Sequence, residues 1–95
     1  MKSNEQSLKE VINELLKAYK LDNRIYETQV IGAWETVVGK VIAKHTMKMY
    51  VNKKILFVTL DSAALREELS YAKQKLIKSL NKKVGVEVIT DIVFR

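Results

Sequence analysis

The chain has no cysteine and no proline, and only three glycines, one histidine and one tryptophan among its 95 residues. Without cysteine there is no disulfide framework and no thiolate metal site, a composition that suits a reducing compartment. One histidine and scattered carboxylates match no usual zinc-ligand spacing, so no metal and no cofactor is expected. Neither G-x-x-x-x-G-K-S/T nor G-x-G-x-x-G occurs, which argues against ATP hydrolysis by this chain. Long apolar runs are also missing. The longest, Ile55 to Val58, is far short of the ~18 residues that suggest a membrane span. The opening MKSNEQSLKE lacks the apolar stretch of ~7–15 residues that an export signal needs. No repeat, low-complexity tract or linker is visible, so residues 1–95 read as a single domain.

What is present is charge, unevenly placed. Residues 1–40 carry six Lys/Arg and six Asp/Glu, a balance of zero. Residues 41–95 carry eleven Lys/Arg and five Asp/Glu, so the whole net charge of +6 lies there. A charge confined to one half points to an anionic partner for that half, or else to a solvated surface that aids solubility.

Periodicity outlines the elements. Ser3 or Asn4 can cap a first helix, in which Leu8, Val11, Ile12, Leu15, Leu16 and Tyr19 form one apolar stripe. The stripe reads as a packing face, with a partner-binding helix as the alternative. Leu21-Asp22-Asn23 reads as a break. A second helix follows, with Val30, Trp34, Val37, Val38, Val41 and Ile42 on one face, running through Gly39 to about Lys44. Gly32 and Gly39 inside it suggest close backbone approach or a helix end. Strand alternation begins near Thr46, with Met47, Met49 and Val51 as core-facing residues. Asn52-Lys53 reads as a tight hairpin turn, and Lys54–Leu60 as a central return strand, apolar on both faces. Asp61 or Ser62 caps a long helix to about Lys82, with Leu65, Leu69, Ala72, Leu76 and Leu80 inward and Gly85 at its end. The last strand spans Val86–Phe94, interrupted by Thr90. The order is α-α-β-β-α-β, an α+β fold with a three-stranded mixed sheet and helices on one face.

Reactive side chains do not cluster. His45 forms a triad with Asp61, Ser62 or Asp91 only on paper, and helix capping accounts for Asp61-Ser62 more simply. An enzyme is therefore not expected. Trp34 shares its helical face with valines and reads as a buried anchor. With Val38, Gly39 and Ile42 it forms the expected hub of the fold, and His45-Thr46 marks the helix-to-strand corner. The lysines are the lead toward function. At 100° per residue, Tyr71, Lys75, Lys78 and Lys82 share the face of the long helix opposite its leucines, with Arg66 and Lys73 at the flank and Lys83 beyond. Lys44, Lys48, Lys53 and Lys54 line the hairpin. Together, with Tyr50 or Tyr71 interleaved, these nine lysines are the candidate nucleic-acid surface, contacting phosphates with little sequence preference.

One pattern is more specific. W-x-x-V-V-G-x-x-I-A-x-H-T, Trp34 to Thr46, is followed by L-x-V-x-L-D-S-A-A-L-R-E-E-L, Leu56 to Leu69, then by the leucine-spaced helix, Leu80-Asn81 and a last strand. From about Leu8 to Arg95 the chain resembles the DciA family of bacterial replicative-helicase operators, long catalogued as a domain of unknown function. The resemblance implies a KH-like fold, binding to the hexameric replicative helicase, and assistance in loading it on single-stranded DNA without ATP hydrolysis. It implies some affinity for DNA. Single- or double-stranded DNA, and RNA as a further candidate, are the expected nucleic-acid partners of a cytoplasmic, nucleoid-associated protein that is a monomer when free. The chain reads as a short form lacking the flexible extension of many members. It also lacks the GXXG loop of KH domains that clamp nucleic acid, so binding falls to the lysine surface. The alternatives are a KH-like RNA-binding module and a scaffold that binds protein only through its first helix.

Overall fold

A computed structural model describes residues 4–95, with side chains described for Leu8–Leu15 and from Asn23 onward. Helix α1 (Asn4–Val38) is followed by α2 (Lys40–Lys44), β1 (Thr46–Asn52), β2 (Ile55–Leu60), α3 (Ala63–Tyr71), α4 (Lys73–Val84) and β3 (Asp91–Phe94). The sheet order is β1-β2-β3, with β1 antiparallel to β2 and β3 parallel to it. The expected α+β order and mixed three-stranded sheet are present. α1, α3 and α4 pack on one face, where Leu56, Val58, Leu60 and Ile92 join Val30, Trp34, Leu69, Leu76, Ile77 and Leu80 in a single core.

Several boundaries differ from the sequence reading, each for a physical reason. The expected break at Leu21-Asp22-Asn23 is absent: α1 runs through it as one helix of 35 residues. Asp and Asn only disfavour a helix interior weakly, and no proline or glycine enforces a stop there. The stop falls at Gly39 instead, where φ 92 and ψ 168 place the backbone in a region open essentially to glycine alone. Its N–H closes the last turn of α1 on the Glu35 carbonyl, and its own carbonyl accepts the first bond of α2 from Ala43. Gly39 is thus a joint rather than a residue the helix runs through. Gly32 marks neither an end nor a close approach; it is exposed within α1 with open space where a Cβ would lie.

The long helix after β2 is divided at Ala72, whose N–H bonds back only three residues, to Leu69. Alanine carries no break signal. The division follows from packing: α3 lies against β2 and β3, whereas α4 lies against α1 and β3. Ser62 caps α3, accepting from Leu65 N at 3.2 Å. Gly85 ends α4 in the left-handed conformation, φ 96, its N–H on the Asn81 carbonyl.

The hairpin turn is Lys53-Lys54, one residue later than expected, and both lysines have positive φ, 50 and 64. These are the signs of a type I′ turn, whose twist matches that of the flanking strands. A register shift between Thr46 and Lys48 leaves Met47 out of the ladder, so Met47 is exposed rather than core-facing; Met49 packs against the core. The last strand is shorter than expected. Residues 85–90 form a loop held by Asn81 and, at its end, by Thr90, whose N–H donates to the Lys54 carbonyl at 2.8 Å. Asn81 Oδ1 accepts from Val88 N at 2.9 Å and Ile89 N at 3.1 Å, and Nδ2 donates to the Ile89 carbonyl at 2.8 Å.

The outer end of α1 gives the molecule its shape, 64 × 21 × 19 Å. Val30 and Trp34 near its inner end are buried, but Leu8, Val11, Ile12 and Leu15 are 64%, 52%, 49% and 62% exposed. Among the described residues, the outer part of the expected packing stripe is therefore left uncovered. Leu16 and Tyr19 of that stripe lie outside the residues whose side chains are described.

Candidate nucleic-acid interface

The hub residues sit where the helices turn into the sheet. Trp34 is buried, with its ring 6.3 Å from that of Phe94. Its indole N–H donates to Thr46 Oγ1 at 3.0 Å, and that hydroxyl donates to the Ile42 carbonyl at 2.8 Å. A polar thread thus ties α1, α2 and β1 through one hydroxyl, and satisfies an indole that burial would otherwise leave unpaired. Val38 and Ile42 pack on the core, while Gly39 is the exposed joint between them.

His45 Nδ1 lies 2.7 Å from Asp61 Oδ1, and Asp61 N donates to the His45 carbonyl at 3.0 Å. These contacts fasten the corner before β1 to the end of β2. Ser62 Oγ is turned to Leu65 N as a cap, so the three residues make a structural corner rather than a relay. Among the described residues, no group of three or more His, Cys, Asp or Glu is placed to hold a metal ion. No helix there is long and apolar enough to cross a membrane.

The lysines fall into groups that sequence order does not suggest. Lys75, Lys78, Lys82 and Lys83 are exposed along α4. Lys78 and Lys82 border an open groove at Gly85, Val86 and Glu87. Lys53 and Lys54, from the hairpin turn, border a second groove against Asn23, Tyr26 and the same Val86 and Glu87. The Asn81-held loop therefore brings the α4 lysines and the turn lysines to its two sides. Lys82 and Lys83 also line a groove with Val37, at the inner end of α1. Lys73 differs from the others: its ammonium is 3.5 Å from Asp91, so its charge is matched within the fold. Arg66 is likewise engaged, donating to the Leu60 carbonyl at 2.8 Å. Lys44 is exposed at the end of α2. Tyr71 is 82% exposed, but the division at Ala72 puts it on α3, outside the α4 stripe.

The second basic surface is the sheet face that no core residue uses. Strand pairing puts Tyr50 opposite Phe57 and Lys48 opposite Thr59. The two rings stack at 4.8 Å and 14°. Lys48 Nζ lies 5.6 Å from the Tyr50 ring centroid, and the Arg95 guanidinium lies 4.7 Å from that of Phe57. Sequence reading missed Phe57 and Arg95. The signal was the turn: placed at Asn52-Lys53 it sets Tyr50 opposite Ile55, whereas the true turn sets it opposite Phe57.

The family described as "Dna[CI] antecedent, DciA" matches residues 7–94. A UPF0232 protein of Corynebacterium glutamicum strain R is 31% identical over 87 residues, covering 92% of this chain and 49% of the relative. A UPF0232 protein of Mycolicibacterium smegmatis, described by its place in a recF-gyrB intergenic region, is 33% identical over 87 residues, covering 92% and 45%. The chain spans about half the length of these relatives. With nearly every described element inside the matched region, the chain belongs to the DciA family.

Proposed function

We propose that this chain is a non-enzymatic adaptor of DNA replication, which binds the replicative helicase, assists its loading on single-stranded DNA, and touches nucleic acid through its lysines. The observation that carries this reading is a pair of unlike free surfaces on one DciA-family chain. One is the apolar stripe Leu8, Val11, Ile12 and Leu15. The other is the cationic half beyond residue 40. An amphipathic helix that lies in a partner's apolar groove uses anchors at i, i+3, i+4 and i+7, the spacing of this stripe. We assign the helicase as its occupant; membership of the DciA family supports that choice. The lysines neutralise phosphates and release counterions, which gives affinity without sequence preference and a steep dependence on salt.

Co-sedimentation with the replicative helicase tests the first half. A complex is expected at micromolar concentration, and Leu8→Asp with Leu15→Asp removes it while leaving the melting temperature in place, because both positions are exposed. Absence of any complex with the unaltered chain refutes helicase binding. For the second half, affinity for a single-stranded oligonucleotide falls steeply between low and physiological salt. It is lost when Lys75, Lys78 and Lys82 become glutamate. Tighter binding of RNA than of DNA of the same sequence moves the assignment to an RNA-binding module. Helicase binding that survives the charge reversal, with no DNA bound by the unaltered chain at any salt, moves it to a protein-only scaffold.

A further inference from the structure

We infer that the uncovered face of the sheet is a stacking platform for the bases of single-stranded nucleic acid, centred on Tyr50 and Phe57. The inference rests on the proposal that this chain binds nucleic acid, and adds to it a site and a mode of contact. β2 alternates Ile55, Phe57 and Thr59 on one side with Leu56, Val58 and Leu60 on the other. Only the second side is buried. A central strand apolar on both faces is the pattern of a sheet covered twice; here, among the described residues, the first side is only half-buried and carries no second layer.

The chemistry of the face names the occupant. Across it runs a ladder: Lys48 over Tyr50, Tyr50 stacked on Phe57, Phe57 under Arg95. Arg95 Nη1 also donates to the Tyr50 hydroxyl at 3.3 Å, which holds the phenol ring in line. The two ends of the ladder are long flexible cations, and its middle is a pair of parallel rings. A nucleobase that displaces Lys48 lands on the face of Tyr50, and the freed ammonium reaches the adjoining phosphate. The guanidinium of Arg95 is itself a plane on which a base stacks. Asp91, the carboxylate at the β3 edge, is already paired with Lys73. A purely apolar protein partner would leave both cations to be desolvated without a counter-charge, whereas a nucleic-acid strand supplies bases and phosphates together.

The test uses the full chain and two oligomers of equal length, one of deoxythymidine and one abasic, with binding read by fluorescence anisotropy over a salt series. Trp34, only 2% exposed, reports by its emission that each variant is folded. The thymidine oligomer is expected to bind about 5- to 150-fold tighter than the abasic one. Tyr50→Leu, which keeps apolar mass but no π face, removes that preference; Tyr50→Phe retains it; the salt slope is unchanged in both. Equal binding of the two oligomers to the unaltered chain overturns the platform and leaves the phosphate-binding proposal standing. So does a preference that survives Tyr50→Leu. No binding of either oligomer at any salt refutes the nucleic-acid proposal itself, and the platform with it.

Discussion

The outer end of α1 and the body of α4 carry the same kind of pattern and meet opposite fates. In α4, Leu76, Ile77 and Leu80 repeat at helical spacing and are buried. In α1, Leu8, Val11, Ile12 and Leu15 repeat at helical spacing and stay about half exposed or more. Both stretches alternate apolar with charged residues, and both read as amphipathic helices. The difference lies in what stands opposite. α4 has α1 and β3 beside it. The outer part of α1 extends past the end of the body, along the 64 Å axis, where none of the described residues is set against it. Periodicity reports that a helix has an apolar face; it does not report that the same chain covers it.

The largest expected effect breaks or upholds this contrast directly. Leu80 is fully buried, and Leu80→Ala is expected to cost about 2–5 kcal/mol, through lost transfer energy and the cavity left behind. Leu15→Ala is expected to stay within about 0.5 kcal/mol, as at exposed positions generally. Urea denaturation midpoints at one protein concentration measure both. A Leu15→Ala loss that matches Leu80→Ala means the stripe is covered in solution by a second copy, and the midpoint then rises with protein concentration.

Next in size is Asn81→Ala, at the inner side of α4. The substitution leaves the N–H groups of Val88 and Ile89 and the Ile89 carbonyl without partners. Both residues are buried, so the expected loss is about 2–3 kcal/mol. Amide exchange should quicken at Val88 and Ile89 first. Unchanged exchange there means that packing rather than Asn81 holds the loop. This loop separates the α4 lysines from the turn lysines, so the variant also tests whether the two groups act as one surface.

The helices, the first two strands and most of the core were legible, because each rests on a local signal. Ser62 caps because its hydroxyl is the right length, and Gly85 ends α4 because its φ is positive. What was not legible depends on distant parts. The division at Ala72 follows from two neighbours pulling α3 and α4 along different lines, and alanine itself gives no sign of it. The turn at Lys53-Lys54 sets two lysines in a conformation that ordinarily favours asparagine and glycine. Local preference pointed to Asn52, and the ladder from Asn52↔Ile55 to Lys48↔Thr59 overrode it. That shift of one residue also hid the candidate platform, since Tyr50 and Phe57 meet only in the true register. The lysines were individually legible as exposed cations. Their grouping around Val86 and Glu87, and the pairing of Lys73 with Asp91, are properties of the fold.

The two glycines at the inner end of α1 give the smallest and cleanest contrast. Neither has anything within 4 Å of where a Cβ would lie, so an added methyl group meets no clash at either site. Only the backbone distinguishes them. Gly39 has φ 92, and Gly39→Ala is expected to destabilise by about 1–2 kcal/mol, because alanine is strained in that region. Gly32 is helical and exposed. Gly32→Ala is expected to stabilise by up to about 1 kcal/mol, because alanine leaves less backbone freedom to lose on folding. Opposite signs in thermal denaturation identify Gly39 as the joint where α1 ends and the route into the sheet begins. Equal, favourable shifts would mean that α1 and α2 straighten into one helix through Gly39. The Trp34–Thr46–Ile42 thread would then have to break, because it spans that joint.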